Sequence, residues 1–514
     1  MKLSRLSLVP LTFLVAACGG SDAPAFSDND DGGTTDDGAL GDTGLTTKDA
    51  ATKDSGPPVL TGTPLVENLS ITEVAVFQTT KISLMKSAAL VVAKPPVVAD
   101  RAGLVRVYVT PGGGWSAHVI QAHLVLETGG NKTTYPLDVT PQASSEGALS
   151  STINFEIPSG VFKPDTKFSV SLHEKTGSKP NATSDAQWPT DGSTTTLGAV
   201  STGPQLKVVI VPIAYGADGS NRLPDTSPAQ LQKYKDILGA LYPVPTVDVS
   251  VRALGAVAIN FAVSANGAGY GTLLNTVLQT RAADKPASDV YYWGAVAPAA
   301  SFNAFCNGGC VTGLSPLVTN PNDSSSRGSV GVGFTGDSTV YTAAHEIGHA
   351  HGRSHAPCGG AQGTDPNYPS INGSIGAWGY NITSKTLLDP TKYRDVMSYC
   401  NPDWFSDYTY GAILTRVKLV NGAQIVTSTP RPYLFGTVDD GKNVSWTGSA
   451  TLDVVPGGEP RDVDYLDANG NVVATKTGWF TTYDHVAGGM LIAPPLPSGA
   501  VRGRLAAITA APAP

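Results

Sequence analysis

The sequence predicts a multidomain α+β chain: an N-terminal β-sandwich, an α/β domain and a small C-terminal β domain. Three observations lead there. The 514 residues exceed what a single hydrophobic core sustains. Residues 66 to 200 fall into short alternating apolar runs parted by Gly, Pro, Asn and Ser, whereas from residue 203 strand-like runs alternate with helical ones. Hydrophobic residues make up 41% of the chain, enough for globular cores, and charged residues only 15%, a balance that suits β-rich extracellular modules. The net charge of -8 gives no support for nucleic-acid binding.

The first residues, MKLSRLSLVPLTFLVAAC, join a basic start to a short apolar run and then small residues. The run is too short to span a membrane and reads as a secretory signal over residues 1–18. Val15-Ala16-Ala17-Cys18 resembles the bacterial lipobox, in which the cysteine is lipidated and becomes the new N-terminus; plain signal cleavage is the alternative. Lipidation at Cys18 implies stable membrane anchoring. Gly19 follows in place of aspartate, so nothing argues for inner-membrane retention, and an outer-membrane or cell-surface location is expected. Residues 19–62 are acidic and rich in Gly, Ser and Thr, with almost no large apolar side chains. Such a stretch cannot offset its ordering entropy and is expected to be a disordered tether. Its aspartates lack the spacing and terminal glutamate of a calcium loop.

Residues 63–202 form the predicted β-sandwich, with runs such as LVRVYVT (104–110), HVIQAHLVLET (118–128), STINFEI (151–157) and KFSVSLHE (167–174). His118, His123 and His173 lie scattered in these runs and read as structural.

The α/β domain is placed at 203–423. LKVVIVPIAY (206–215) is a near-continuous apolar run, as in a buried strand. Ser227 and Pro228 then provide an N-cap and a first helical residue for a helix through 243. A strand near 247–251, a helix near 270–283, a strand near 289–296 and another near 329–334 follow. Asp337 or Ser338 is the expected cap of the next helix, and residues 410–423 read as a closing helix.

That capped helix carries HEIGHAHGRSH, residues 345–355. His345 and His349, four apart, share one helix face, where two imidazoles can hold one metal ion and Glu346 can reach a water on it. His351 sits roughly 200° around the helix from His349 and points away. Gly352 suits the left-handed turn that ends a helix and lets the chain bring His355 back as a third ligand. The whole spacing, HExxHxxGxxH, resembles that of the metzincin zinc peptidases, and DVMSYC (395–400) places Met397 where such enzymes have a methionine turn.

The resemblance covers roughly 203–422 and implies a catalytic zinc held by His345, His349 and His355. Glu346 would serve as general base toward the metal's water and then protonate the departing amine. In astacin-like and serralysin-like groups a tyrosine stands two residues after the methionine; Tyr399 is its counterpart, with simple packing as the alternative. Ala356-Pro357-Cys358 matches no familiar subgroup marker, so the subfamily is left open. Four cysteines remain after Cys18. Outside the cytoplasm they should pair. The expected fold brings the segments after His355 and Met397 together, which implies Cys358–Cys400 and leaves Cys306–Cys310.

Residues 424–514 return to a β pattern, with a hairpin turning at Asn469-Gly470. The run DVDYLDANGN (462–471) has a superficial likeness to a calcium loop, and a structural calcium ion finds no further support. The expected function is an extracytoplasmic zinc endopeptidase acting on protein or glycoprotein substrates. The rival is a surface lipoprotein that binds polymer or glycoprotein through its β modules, its protease-like domain inactive.

Overall fold

The computed structural model describes residues 58–92, 94–177, 185–422, 428–440 and 442–506. The signal segment, Cys18 and most of the tether lie outside these. The chain is mostly β, with 37% of residues in strands and 15% in helices. Among the described residues the α-helices all fall within 228–422: α1 (Pro228–Leu241), α2 (Tyr270–Asp284), the single turn α3 (Phe302–Phe305), α4 (Asp337–Ala350) and α5 (Asp407–Gly422).

In the N-terminal region an 18-residue strand, Leu69–Lys86, pairs antiparallel with Gly103–Pro111, which pairs in turn with Ile153–Ile157. A second sheet runs Asn131–Val139, Ile120–Thr128, Lys167–Glu174 and Gln187–Trp188. Alternate side chains of both sheets, among them Val74, Val76, Val107, Leu124 and Val170, bury one common core. The first sheet does not stop at this region. Gly379–Asn381 and Thr386–Leu388 form a short hairpin that joins it through Thr79 and Thr80. The sequence reading leaves this stretch irregular, because three-residue strands are too short to show a period.

The central sheet begins at its outer edge with Thr246–Val251, followed by Gln205–Tyr215, Val290–Val296 and Gly328–Val332, all parallel. Gly313–Leu314 then adds an antiparallel edge. α1 and α4 pack on one face, where Leu238, Val340 and Ile347 meet Val208, Ile210 and Trp293. α2 covers the other face. As expected, Ser227 caps α1 through its hydroxyl, which accepts from the Gln230 amide. The start of α4 differs from the expectation. Gly336 occupies the cap position, Asp337 is already helical, and no side chain caps the helix. Gln230 from α1 holds the cap residue itself, its side-chain oxygen accepting from the Gly336 amide at 2.8 Å and its Nε2 donating to the Gly336 carbonyl.

The C-terminal region is a closed six-stranded barrel built from Arg431–Val438, Asn443–Leu452, Glu459–Leu466, Val472–Thr482, Gly489–Ala493 and Arg502–Leu505. Closure leaves no open sheet edge. Residues 467–471 turn the hairpin, and the Asp467 carboxylate accepts from the amides of Asn469 and Asn471. That carboxylate is taken up by the turn. The barrel shares a core with the α/β part: Leu273, Leu274 and Val277 of α2 pack between Val211 and Ile213 of the sheet and Phe435, Met490 and Ile492 of the barrel.

Candidate metal centre

α4 ends because Gly352 takes a left-handed conformation, φ +81°, in which an added Cβ would lie 2.8 Å from the Val318 carbonyl oxygen. The chain then reverses, and His355 arrives beside His345 and His349, all three buried. The His345 and His349 rings lie 4.7 Å apart between centroids, and His355 lies 5.3 Å and 4.6 Å from them.

Each ring is oriented from behind by a backbone carbonyl. Nδ1 of His345 is 2.6 Å from the Val396 oxygen, Nδ1 of His349 is 2.5 Å from that of Arg353, and Nδ1 of His355 contacts that of Gln362. A carbonyl only accepts, so each Nδ1 carries the proton and each Nε2 presents a lone pair. Burial, reinforced by the neighbouring imidazoles, holds His345 and His349 well below the usual 6.5 and lowers His355 to about 4. Neutral imidazole is the form that ligates a metal.

Met397 is fully buried beneath α4. A Cβ on Gly348 would stand 2.5 Å from its sulfur, so glycine lets the turn press close. The turn is tied at both ends: the Met397 carbonyl accepts from the Ala356 amide at 2.8 Å, and buried Asp395 accepts from the Met397 and Ser406 amides. Cys358 is joined to Cys400, and Cys306 to Cys310, with Cα separations of 5.7 Å and 5.3 Å. The first link fastens the segment after His355 to the one after Met397. His351 turns away from the centre, stacking on Tyr291 at 4.4 Å and bonding the Ile347 carbonyl through Nδ1.

Glu346 lies against the edge strand: a Cβ on Gly313 would come 2.7 Å from its Cδ. The Tyr399 hydroxyl is 3.2 Å from His355 Nε2. Two further residues complete the cluster, and the sequence reading does not foresee either. Asp484 and His485 come from the barrel, on the turn between Val472–Thr482 and Gly489–Ala493. Together with the three histidines they offer ligand atoms that all lie within 4.8 Å of one another. His485 bridges, with Nε2 2.9 Å from Glu346 Oε1 and Nδ1 2.5 Å from the Tyr399 hydroxyl. An isolated DH pair in a β-hairpin carries no spacing signal; only the docking of the barrel reveals it.

The donors fit a metal on their own chemistry. Nε2 of His345 and Nε2 of His349 face each other at 3.0 Å, although both carry lone pairs. Asp484 Oδ2, on a side chain only 2% exposed, lies 3.2 Å from His349 Nε2 and 3.3 Å from His485 Nε2. Such electron-rich atoms converge favourably around a cation.

A buried centre able to hold one metal ion, with a glutamate beside it, is a feature of metal-dependent peptidases. The comparison with protein families agrees: residues 315–421 match the family model described as Peptidase M66, a metallopeptidase family. The matched span includes His345, Glu346, His349, His355, Met397 and Tyr399, and ends before the barrel. Among curated proteins none matches the chain.

Proposed function

We propose that the chain is an extracytoplasmic zinc-dependent endopeptidase of metzincin type, anchored by a lipid on Cys18 in the outer membrane or at the cell surface. The convergence of three tautomer-fixed Nε2 atoms beside Glu346 carries this reading. His345, His349 and His355 hold the metal, a set of nitrogen donors suited to zinc. When bound, zinc supplies Lewis acidity, which makes water acidic near neutral pH and polarises a carbonyl. Glu346, on the helix turn between the first two ligands, accepts a proton from the attacking water and returns it to the leaving amine. Tyr399, with its hydroxyl beside His355, is placed to donate a hydrogen bond to the oxyanion. The two disulfides and the signal-like start favour a location outside the cytoplasm.

The test is metal analysis and casein hydrolysis with purified wild type and Glu346→Ala. About one zinc per chain is expected in both. The variant should lose roughly 10²- to 10⁴-fold in rate, the range that general-base catalysis contributes. A protein that binds no zinc at neutral pH, or a Glu346→Ala variant that cleaves as fast as wild type, would refute the proposal.

A further inference from the structure

The barrel reaches the metal centre through one turn, and the turn is held in a particular way. Tyr483 pairs antiparallel with Pro316, and the Leu317 amide donates to the Thr482 carbonyl at 3.3 Å. The Ser315 amide donates to Asp484 Oδ1 at 3.2 Å. Thr482–Asp484 thus lies antiparallel beside residues 315–317, which follow directly on the edge strand Gly313–Leu314, much as an extended peptide does when it adds to a sheet edge. Beyond it, Asp484 Oδ2 lies 3.2 Å from His349 Nε2 and 3.3 Å from His485 Nε2, within the cluster whose ligand atoms all fall within 4.8 Å, while His485 engages both Glu346 and Tyr399. The turn is seated by close packing. Tyr483 lies against Gly271, where a Cβ would come 2.9 Å from its hydroxyl, and Val486 lies against Gly267 and Val311.

We infer that Asp484 is a fourth ligand of the metal and that residues 482–485 occupy the substrate cleft, so that the barrel holds the enzyme at reduced activity, with full activity reached only when this turn moves away. The inference rests on the metallopeptidase reading. Three histidines leave one position open on a tetrahedral metal, and a catalytic site needs that position for water; a fourth protein ligand closes it. Asp484 is the carboxylate placed to do so. His485 adds to the block by holding the general base and the tyrosine away from a substrate. Opening requires only that one hairpin turn leave the cleft, since no covalent bond ties it there.

The experiment uses the full chain loaded with Co²⁺, comparing wild type with Asp484→Asn and Asp484→Ala. Asparagine has nearly the same shape without the charge, and guards against a result due to misfolding. Three quantities are read: the visible absorption of bound cobalt, the affinity for acetohydroxamate, and casein hydrolysis. The cobalt spectrum should change in both variants as a carboxylate leaves the metal. Acetohydroxamate should bind at least tenfold tighter than in wild type, and casein hydrolysis should rise at least tenfold. Folded variants with the wild-type spectrum and hydroxamate affinity would overturn the inference while leaving the peptidase reading intact. An Asp484-dependent spectrum without casein cleavage by any form would uphold the ligand and refute the peptidase. A chain that binds no metal would overturn both.

Discussion

At Gly313 the absence of a side chain decides where Glu346 can lie. Alanine there would force Glu346 aside, while the three histidines, braced by carbonyls on the opposite side, would stay. On the proposed function, Gly313→Ala should therefore bind metal as wild type does and lose roughly 10²-fold in turnover, the scale on which a misplaced catalytic group acts; metal analysis alongside kinetics checks both halves. A second residue-level expectation concerns buried His123 and half-buried His173, whose rings lie tilted against each other at 4.5 Å. Burial, with His173 nearby, lowers His123 to about 4, against 6.5 in an unfolded chain. Between those values the unfolded state binds the proton and the folded state does not, so stability falls as pH drops from about 6.5 towards 4. His123→Gln should make that acid limb less steep in melting temperatures measured across the range, the other buried histidines still contributing to it. At this scale the sequence is legible wherever spacing encodes geometry: His345 and His349 are one helical turn apart, and Gly352 announces the reversal that returns His355. Asp484 and His485 lack such a cue, because tertiary docking alone brings them to the centre.

Among the elements, the segment from Cys358 to Cys400 holds only short strands and is closed by a disulfide. It lies between His355 and α5, and its disulfide closes 42 residues. On the chain-entropy account such closure is worth about 4 kcal/mol. Cys358→Ser with Cys400→Ser should lower the unfolding free energy by an amount of that order in denaturant titrations, and should weaken zinc binding against a competing chelator. A double variant with unchanged midpoint would show that packing around Met397 alone holds the loop. Long elements with strong signals are readable from sequence: the Ser227-Pro228 start of α1 and the apolar strand Gln205–Tyr215 match closely. α2 carries apolar residues on opposite sides because it is covered on both, by the sheet and by the barrel. Short pairings were beyond reach, since Gly379–Asn381 owes its strand form to Thr79 and Thr80 rather than to any pattern of its own.

Over the whole molecule the parts share cores instead of standing apart. Arg101 reaches from the N-terminal region to the carbonyls of Ala240 and Tyr242, Trp404 donates to the Thr79 carbonyl, and the barrel completes the core around α2. Deleting residues 428–514 would leave Leu273, Val277 and their neighbours facing water, and the shortened chain should aggregate on size exclusion. A soluble, monomeric product with native circular dichroism would contradict this. The sequence shows three kinds of pattern and invites a division into three; the faces by which they fuse are ordinary apolar surfaces, indistinguishable from any other core position. The hairpin Gly379–Leu388 gives this fusion a temporal side. During synthesis the strand Leu69–Lys86 leaves the ribosome long before the hairpin that pairs with Thr79 and Thr80. For that interval the nascent chain presents unpaired backbone at that edge, a template for wrong partners. Export before folding, or a chaperone that shields the edge, would suit a chain built in this order.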